Sequence, residues 1–348
     1  MKIEVYSPTI RRKEMGAVLT VLVEEKIGPG EQAERLVQTA KENLHFDYAL
    51  ALRSPATALF LALKMFKSEG GGGDGVLVSA LSPRYYLRVI ADVGMVPVVC
   101  DVDPASGCVT ADLIRLAMEK SGGGGEPVRC IALYHSLALL PDMREVCELG
   151  VPLIEDCSTA YGATLGDKMA GSFGALSILG LEERDLLTAG GGALLFAMER
   201  RNAAALRNLP ELPPEYRLPD MNAAMAIVQF REAARNSEKR SEIARLYADA
   251  AMRGRHKRFV HAEGFTPNNF AFPLILETGM KDVVAYAKKK DIAVECAFSG
   301  SIVGALDAPS EKSPCAYSLS LRTALFPMYP RLGPANAASI AKLILTLP

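Results

Sequence analysis

Short apolar runs recur along the first half of the chain and alternate with segments of helical spacing. The runs Tyr48–Leu52, Val128–Tyr134 and 151–154 are continuous enough to predict buried strands. The segment that begins near Glu31 places apolar side chains at intervals of three and four residues, which indicates a helix. The repeated strand–helix–strand order between residues 48 and 196 predicts a mostly parallel sheet with helices on both faces.

The pattern changes beyond residue 220. A long helix comes first, and its charged stretch at 235–247 is typical of a solvated helix face. It is followed by a strand at 270–276, a helix at 280–289 and a last helix at 334–346. This order predicts a small α/β unit at the carboxyl end of the chain.

We therefore predict two domains. The large domain covers residues 1–235 and starts with an N-terminal arm at 1–30. The small C-terminal domain covers residues 236–348 and includes the connecting helix. Two glycine-rich stretches, 70–75 and 122–125, are expected to be surface loops.

Composition excludes several classes of protein. The chain has 348 residues, 49% of them hydrophobic, and a net charge of −1, so neither nucleic acid nor an anionic membrane surface is an expected partner. No apolar run approaches the length of a membrane-spanning helix, and we expect no membrane contact. The seven cysteines show no C-x-x-C spacing, and the first residues do not resemble a signal peptide. A cytoplasmic protein with reduced thiols is expected.

An acid pair stands at the centre of the chain. The apolar run 151–154 ends in Glu155 and Asp156, which predicts a buried strand with the acid pair at its C-terminal end, the edge of the sheet where open α/β folds bind ligands. Glycine-rich turns, a second apolar run at 175–179, a charged loop and the triple glycine 190–192 follow in order.

This order resembles the DegT/DnrJ/EryC/StrS sugar aminotransferases. Their pattern is E-D-x-A-Q/H-x-x-G-A, then G-S-x-G-D, then S-F-x-x-x-K-x-x-T-x-G-E-G-G-A. The positions that match here are Glu155, Asp156, Gly162, Ala163, Gly171, Ser172, Gly174, Thr188, Gly191, Gly192 and Ala193. The resemblance implies a fold-type I pyridoxal-phosphate (PLP) enzyme, with a seven-stranded, mostly parallel sheet between helices and a small C-terminal α/β domain.

The resemblance also implies partners. Members of the family form homodimers and act on nucleotide-linked sugars in polysaccharide biosynthesis. The arm at 1–30 and the loop at 208–220 are the expected dimer contacts.

The family's catalytic lysine is missing. Counting back from Gly191 places Arg184 at its position. A guanidinium stays protonated and is not a nucleophile, so Arg184 cannot hold the cofactor covalently. The paired N–H donors of the guanidinium group of Arg184 suit a carboxylate or a phosphate. We expect either a salt bridge, to Asp156 or to Glu215 of the partner subunit, or a ligand contact.

Asp156 matches the acid that faces the pyridinium nitrogen of PLP in the family. The alternative is that Asp156 only caps the next turn. Other family positions have changed. Thr159 replaces the residue that covers the ring face, and Pro83 replaces the aromatic that stacks on the ring. Tyr85 and Tyr86 lie next to Pro83 and are expected to pack in the core.

The phosphate-binding positions have also changed. Pro55 and Ala56 replace a Gly-Thr pair at the start of a helix, which removes an amide donor and a hydroxyl. Ser177 could replace the family serine only by a shift in register. Glu215 replaces an asparagine and puts an anion where an anion should bind. PLP is implied by the family, but these changes oppose its binding.

Three functions remain open. The first is a catalytically degenerate homologue with a regulatory or scaffolding role in nucleotide-sugar or polysaccharide biosynthesis. The second is an active enzyme that binds PLP non-covalently. The third is a module that binds an anion or a sugar nucleotide in the vacated pocket.

Overall fold

The computed structural model describes residues 2–68, 73–123 and 125–348. The glycine-rich stretches 70–75 and 122–125 lie partly outside these residues. Twelve α-helices follow one another within the described part of the chain. They are α1 (Arg12–Val23), α2 (Glu31–Leu44), α3 (Pro55–Ser68), α4 (Tyr85–Asp92), α5 (Ala111–Gly122), α6 (Met143–Glu148), α7 (Arg200–Arg207), α8 (Asp220–Met252), α9 (Met280–Lys288), α10 (Pro309–Lys312), α11 (Pro314–Arg322) and α12 (Pro334–Leu345).

The strands fall into one large and two small sheets. They are β1 (Tyr48–Leu52), β2 (Gly75–Ser79), β3 (Val96–Cys100), β4 (Val128–Tyr134), β5 (Leu153–Asp156), β6 (Thr164–Leu165), β7 (Lys168–Met169), β8 (Leu176–Gly180), β9 (Ala193–Ala197), β10 (Phe265–Thr266), β11 (Pro273–Ile275), β12 (Glu295–Cys296) and β13 (Thr323–Leu325). The central sheet has the order β1-β9-β8-β5-β4-β2-β3. Only β9 pairs antiparallel to its neighbours, so the predicted seven-stranded, mostly parallel sheet is confirmed.

Apolar clusters lie on both faces of this sheet. One contains buried side chains of α2, α5, α6 and the first half of α8, and the other contains those of α3, α4 and α7. Burial on both faces explains why the strands are continuous apolar runs and do not alternate. A third cluster joins the second half of α8 to α9, α12, β11 and β13, and forms the core of the small α/β unit.

The acid pair forms the last two residues of β5, which confirms its predicted place at the carboxyl end of this strand. Other details differ from the prediction or extend it. The N-terminal arm contains a regular helix, α1, which packs on α8. The strand predicted at 270–276 is limited to β11. The domain boundary at 235/236 falls inside α8 and stays a prediction.

The carboxylate of Glu155 connects three parts of the large sheet. It is fully buried and accepts hydrogen bonds from the backbone N–H groups of Gly171 (2.7 Å), Phe173 (2.8 Å) and Gly174 (3.1 Å). The Nε2 atom of His135, at the end of β4, lies 2.9 Å from the same carboxylate. Glu155 thus fixes the glycine-rich turn after β7 against the ends of β4 and β5.

We predict that Glu155→Gln destabilises the fold. The new NH₂ group would face buried N–H donors and leave them unpaired, which costs about 3 kcal/mol. Urea denaturation followed by circular dichroism measures the loss. Glu119→Gln, on an exposed position of α5, is the control. Equal stability of the two variants would contradict the role given to Glu155.

Candidate functional site

A cavity of about 300 Å³ opens at the carboxyl edge of the central sheet. Its walls come from the ends of β2, β4 and β5, from the loop after β8, and from the small unit around β12 and β13. Thr159, Pro83 and Arg184 line it, as the resemblance implies. This cavity is called the cleft below.

Asp156 ends β5 beside the cleft, on the opposite face of the strand from Glu155. Its Oδ1 accepts hydrogen bonds from the backbone N–H of Ser158 (3.0 Å) and from the Ser158 hydroxyl. Its Oδ2 accepts a hydrogen bond from the Tyr86 hydroxyl at 2.7 Å. Burial raises the pKa of Asp156 above its usual value, against the lowering effect of these hydrogen bonds. Three of the roughly four acceptor positions of the carboxylate are therefore used by the protein, and one on Oδ2 is left.

Three tyrosines surround this carboxylate. The rings of Tyr85 and Tyr86 lie 5.0 Å apart, and those of Tyr86 and Tyr134 lie 6.4 Å apart. Tyr86 packs in the core, as expected, but its hydroxyl also reaches Asp156. Sequence analysis missed this hydrogen bond because the partners are 70 residues apart. Burial and the nearby Asp156 raise the pKa of Tyr86 well above its usual value, which keeps the hydroxyl a donor.

Arg184 points away from Asp156. Its Nη1 lies 2.9 Å from Oε2 of Glu295, in β12, and its guanidinium lies 5.8 Å from the ring of Tyr6. The side chain is 66% exposed. A salt bridge was expected, but with Asp156 or with Glu215 of the partner subunit. The contact with Glu295 joins the large domain to the small unit, and no sequence motif indicated it.

Asp185 follows Arg184 in the chain, and its side chain lies in the wall of the cleft. Its Oδ2 accepts a hydrogen bond from the backbone N–H of Glu182 at 2.8 Å. Burial, with Asp156 and Glu182 nearby, raises the pKa of Asp185 to about 7. This second carboxylate was not among the candidates predicted from the sequence.

The start of α3 is closed by protein atoms. Ser54 caps the helix, because its Oγ accepts from the backbone N–H of Thr57 at 3.1 Å. A Cβ atom on Gly180 would lie 2.3 Å from Oδ2 of Asp185, 2.7 Å from Oγ of Ser158 and 3.1 Å from Cγ of Pro55. These groups fill the space next to the helix, and Pro55 has no N–H to donate.

The other candidate residues are engaged elsewhere or lie apart. The Ser177 hydroxyl is fully buried and donates to the Gly171 carbonyl at 2.8 Å. Thr159 donates to the His135 carbonyl at 2.6 Å. Ala56 lies in the first turn of α3 and packs against the apolar cluster beside it. Glu215 is exposed, in a short 3₁₀ turn at Pro214–Tyr216.

These residues do not fit PLP as the family binds it. Arg184, which counting within the motif assigns to the lysine position, is exposed and paired with Glu295, and Asp156 already accepts three hydrogen bonds from Ser158 and Tyr86. The Ser177 hydroxyl donates to a backbone carbonyl, and the carboxyl of Asp185 packs against Gly180 beside the start of α3. Within the described residues, no group of three or more metal-ligating side chains offers an alternative metal centre.

No helix in the described part of the chain is long and apolar enough to cross a membrane.

Relatives of known activity share parts of this sequence. L-glutamine:scyllo-inosose aminotransferase of Streptomyces griseus is 32% identical over 39% of this chain and 32% of its own length. Alignments to four such inosose aminotransferases cover only 30% to 43% of those relatives. The dTDP-4-dehydro-2,3,6-trideoxy-D-glucose 4-aminotransferase of Saccharopolyspora spinosa is 24% identical over 97% of this chain and 95% of its own.

Solved structures share the whole fold. A putative sugar aminotransferase of Streptococcus pneumoniae, solved in a PLP form and a PMP form, has a TM-score of 0.87 at 18% identity; its PLP form covers 99% of this chain and 98% of its own. Helicobacter pylori PseC, an aminotransferase of pseudoaminic acid biosynthesis, has a TM-score of 0.84 at 16% identity over 99% of this chain and 98% of its own. At these identities the likeness establishes the fold alone.

A family model completes the comparison. It matches residues 8–345, which is nearly the whole chain and includes every candidate residue discussed above. The chain belongs to the DegT/DnrJ/EryC1/StrS aminotransferase family.

Proposed function

We propose that this chain is a catalytically degenerate sugar aminotransferase homologue, with a regulatory or scaffolding role in nucleotide-sugar or polysaccharide biosynthesis. The observation that carries the proposal is the state of Arg184. Counting within the motif assigns it to the lysine position, and its side chain is exposed and paired with Glu295. A transaminase needs an amine that can lose its proton, and a guanidinium does not supply one.

The state of Asp156 supports the proposal independently. A carboxylate that stabilises a pyridinium must accept its N–H. Here Ser158 and Tyr86 already use three of the roughly four acceptor positions of Asp156. A pyridinium N–H would have to share Oδ2 with the buried Tyr86 hydroxyl, which weakens Asp156 as a partner for the cofactor.

The environment of Asp185 supplies a third argument. Its Oδ2 and Cγ of Pro55 both pack against Gly180, beside the start of α3. With its pKa raised to about 7, the carboxyl is partly ionised at neutral pH, so the phosphate of PLP would meet this group and no proline N–H. Loss of the lysine alone would leave a non-covalent enzyme possible, whereas these three losses together oppose any tight binding of PLP.

We further propose that the protein is a cytoplasmic homodimer. The outer face of α1 supports this, because it exposes apolar side chains in helical spacing: Met15 (56% exposed), Leu19 (59%) and Val23 (74%). A contiguous exposed apolar stripe is typical of an interaction surface. It lies in the N-terminal segment that was expected to contact the partner.

A second candidate function is a module that binds an anion or a sugar nucleotide. The cleft favours it, since about 300 Å³ remains between the two units, lined by polar groups that include Tyr6, Ser136 and Arg184. That volume is at the lower end of known small-molecule sites. A sugar nucleotide bound here would need no pyridoxal chemistry.

We predict that titration of the purified protein with PLP gives no saturable change in the cofactor's absorbance. Borohydride reduction of the same sample, followed by mass spectrometry, should trap no adduct. A saturable change without an adduct would support the non-covalent enzyme and contradict our proposal. A trapped adduct would also contradict it, and the modified peptide would identify the lysine.

We predict that Arg184→Lys alone does not restore covalent binding of PLP, because Asp156 stays bonded to Tyr86 and Asp185 still closes the start of α3. Borohydride trapping with mass spectrometry is the measurement. Arg245→Lys, on an exposed position of α8, controls for non-specific modification of a new lysine. An adduct at position 184 would show that the lysine is the only missing part of the site.

The raised pKa of Asp185 predicts a pH-dependent stability. Between pH 3.8 and about 7 the unfolded chain loses a proton that the folded chain keeps, so Asp185 makes the fold less stable as pH rises. Asp185→Asn removes this effect, and its stability relative to the unaltered protein should rise by about 2–4 kcal/mol over that range. Urea unfolding at several pH values measures the difference. Asp249→Asn, an exposed control on α8, should show no such trend.

A further inference from the structure

A second and larger cavity lies behind the cleft. Its volume is about 520 Å³, and it is enclosed by α2, by the turn that contains Tyr161 and Gly162, and by the middle of α8. Arg240 lines both this cavity and the cleft, so its side chain forms part of the wall between them. The cavity is called the α2–α8 cavity below.

Arg240 is a buried cation without an anionic partner. Arg240 is only 5% exposed. Among residues 2–68, 73–123 and 125–348, no carboxylate oxygen lies within 4.0 Å of its side-chain nitrogens. Its Nη1 donates to the carbonyl oxygens of Phe270 (2.9 Å) and Met328 (2.8 Å), while its Nε is buried without a partner. Burial lowers the pKa of Arg240 to about 10. Carbonyl dipoles satisfy one nitrogen of the group but do not neutralise its charge.

The charged residues that line the cavity are Arg240, Arg231 and Glu42, so positive charge exceeds negative charge by one. Arg231 stands at the rim, and Glu42 is the acidic side chain among the lining residues. Asn236, one helical turn before Arg240, has a buried Oδ1 without a hydrogen-bond partner. Two cations, one acid and an unpaired amide oxygen favour a ligand that carries both an anionic group and a donor.

An apolar wall faces these polar groups. Tyr161 and Phe230 meet edge to face with their ring centroids 5.5 Å apart, and Leu187 lies beside them. Small-molecule sites combine such a wall with a few convergent polar groups, in volumes that include the one found here.

We propose that the α2–α8 cavity binds a small organic anion, whose phosphate or carboxylate contacts Arg240 and whose hydroxyl-bearing body lies against Tyr161 and Phe230, while the exposed Arg231 attracts the anion to the rim. Guanidinium groups bind both kinds of anion through paired N–H donors. The proposal does not depend on the fate of PLP, because none of the residues at the lysine, acid or phosphate positions lines this cavity.

Isothermal titration with two probes tests the proposal and its chemistry. D-glucose 6-phosphate carries the phosphate and citrate carries carboxylates, while D-glucose is the neutral control. We expect saturable binding of at least one anion, weakened by added salt, and none of D-glucose. The probe that binds more tightly shows which anion the cavity prefers. No saturable binding of either anion overturns the proposal.

Two variants locate the binding. Ala234→Glu places a carboxylate on an exposed position of α8 that lines the cavity, and Arg240→Gln removes the buried charge. Each should weaken binding by about tenfold or more. Ala335→Glu in α12 and Arg245→Gln in α8 are exposed controls of matched charge change, and should bind normally. If Arg240→Gln does not fold, the binding measured with Ala234→Glu still tests whether the anion occupies this cavity.

The variant Arg184→Gln distinguishes binding in this cavity from binding in the cleft. Arg184 lines the cleft and not the α2–α8 cavity, so the variant should bind the probe as the unaltered protein does. Normal binding by Ala234→Glu, or loss of binding in Arg184→Gln, would assign the anion to the cleft and overturn the proposal. PLP also carries a phosphate and a hydroxyl, so the PLP titration is repeated with Ala234→Glu to keep the two proposals apart: a saturable PLP signal that this variant loses belongs to the α2–α8 cavity, and one that it keeps belongs to the cleft.

Discussion

The buried carboxylate of Glu155 holds the functional edge of the sheet in place. It gathers three backbone N–H groups of the glycine-rich turn and the ring of His135 around the end of β5. A buried charge is tolerated only when its hydrogen-bonding capacity is filled, and four donors do so here. The same interaction sets the position of Asp156, the next residue along the strand. Glu155 therefore helps to fix the backbone at the edge of the cleft.

The fold could be predicted from the sequence because its signals are local and repeated. Buried strands such as β4 and β9 are plain apolar runs, and the Ser54 cap and Pro55 mark the start of α3. The helix α1 was missed because its apolar residues face outward, so its pattern does not resemble that of a packed helix. The extent of the small domain still rests on prediction, since α8 crosses the proposed boundary.

The site was only partly predictable, since its contacts join distant segments. The position of Arg184 followed from counting within a motif, but its partner Glu295 lies 111 residues away. The hydrogen bond from Tyr86 to Asp156 spans 70 residues, and Arg240 reaches carbonyls 30 and 88 residues away. Ser177 was a candidate by its place in the motif, yet strand alternation turns it to the face of Glu155. Motif counting locates a position in the chain and does not determine where its side chain points.

The ion pair between Arg184 and Glu295 gives the cleft a mechanical property. It joins the loop after β8 to β12, so the two walls of the cleft are linked directly by side chains. Exposed pairs of this kind contribute about 0–1 kcal/mol and weaken as salt rises. The pair therefore adds little to the stability of the fold, and the packing of the two units must hold the walls of the cleft in place. At high ionic strength this side-chain link across the mouth of the cleft would be the first contact between the walls to weaken.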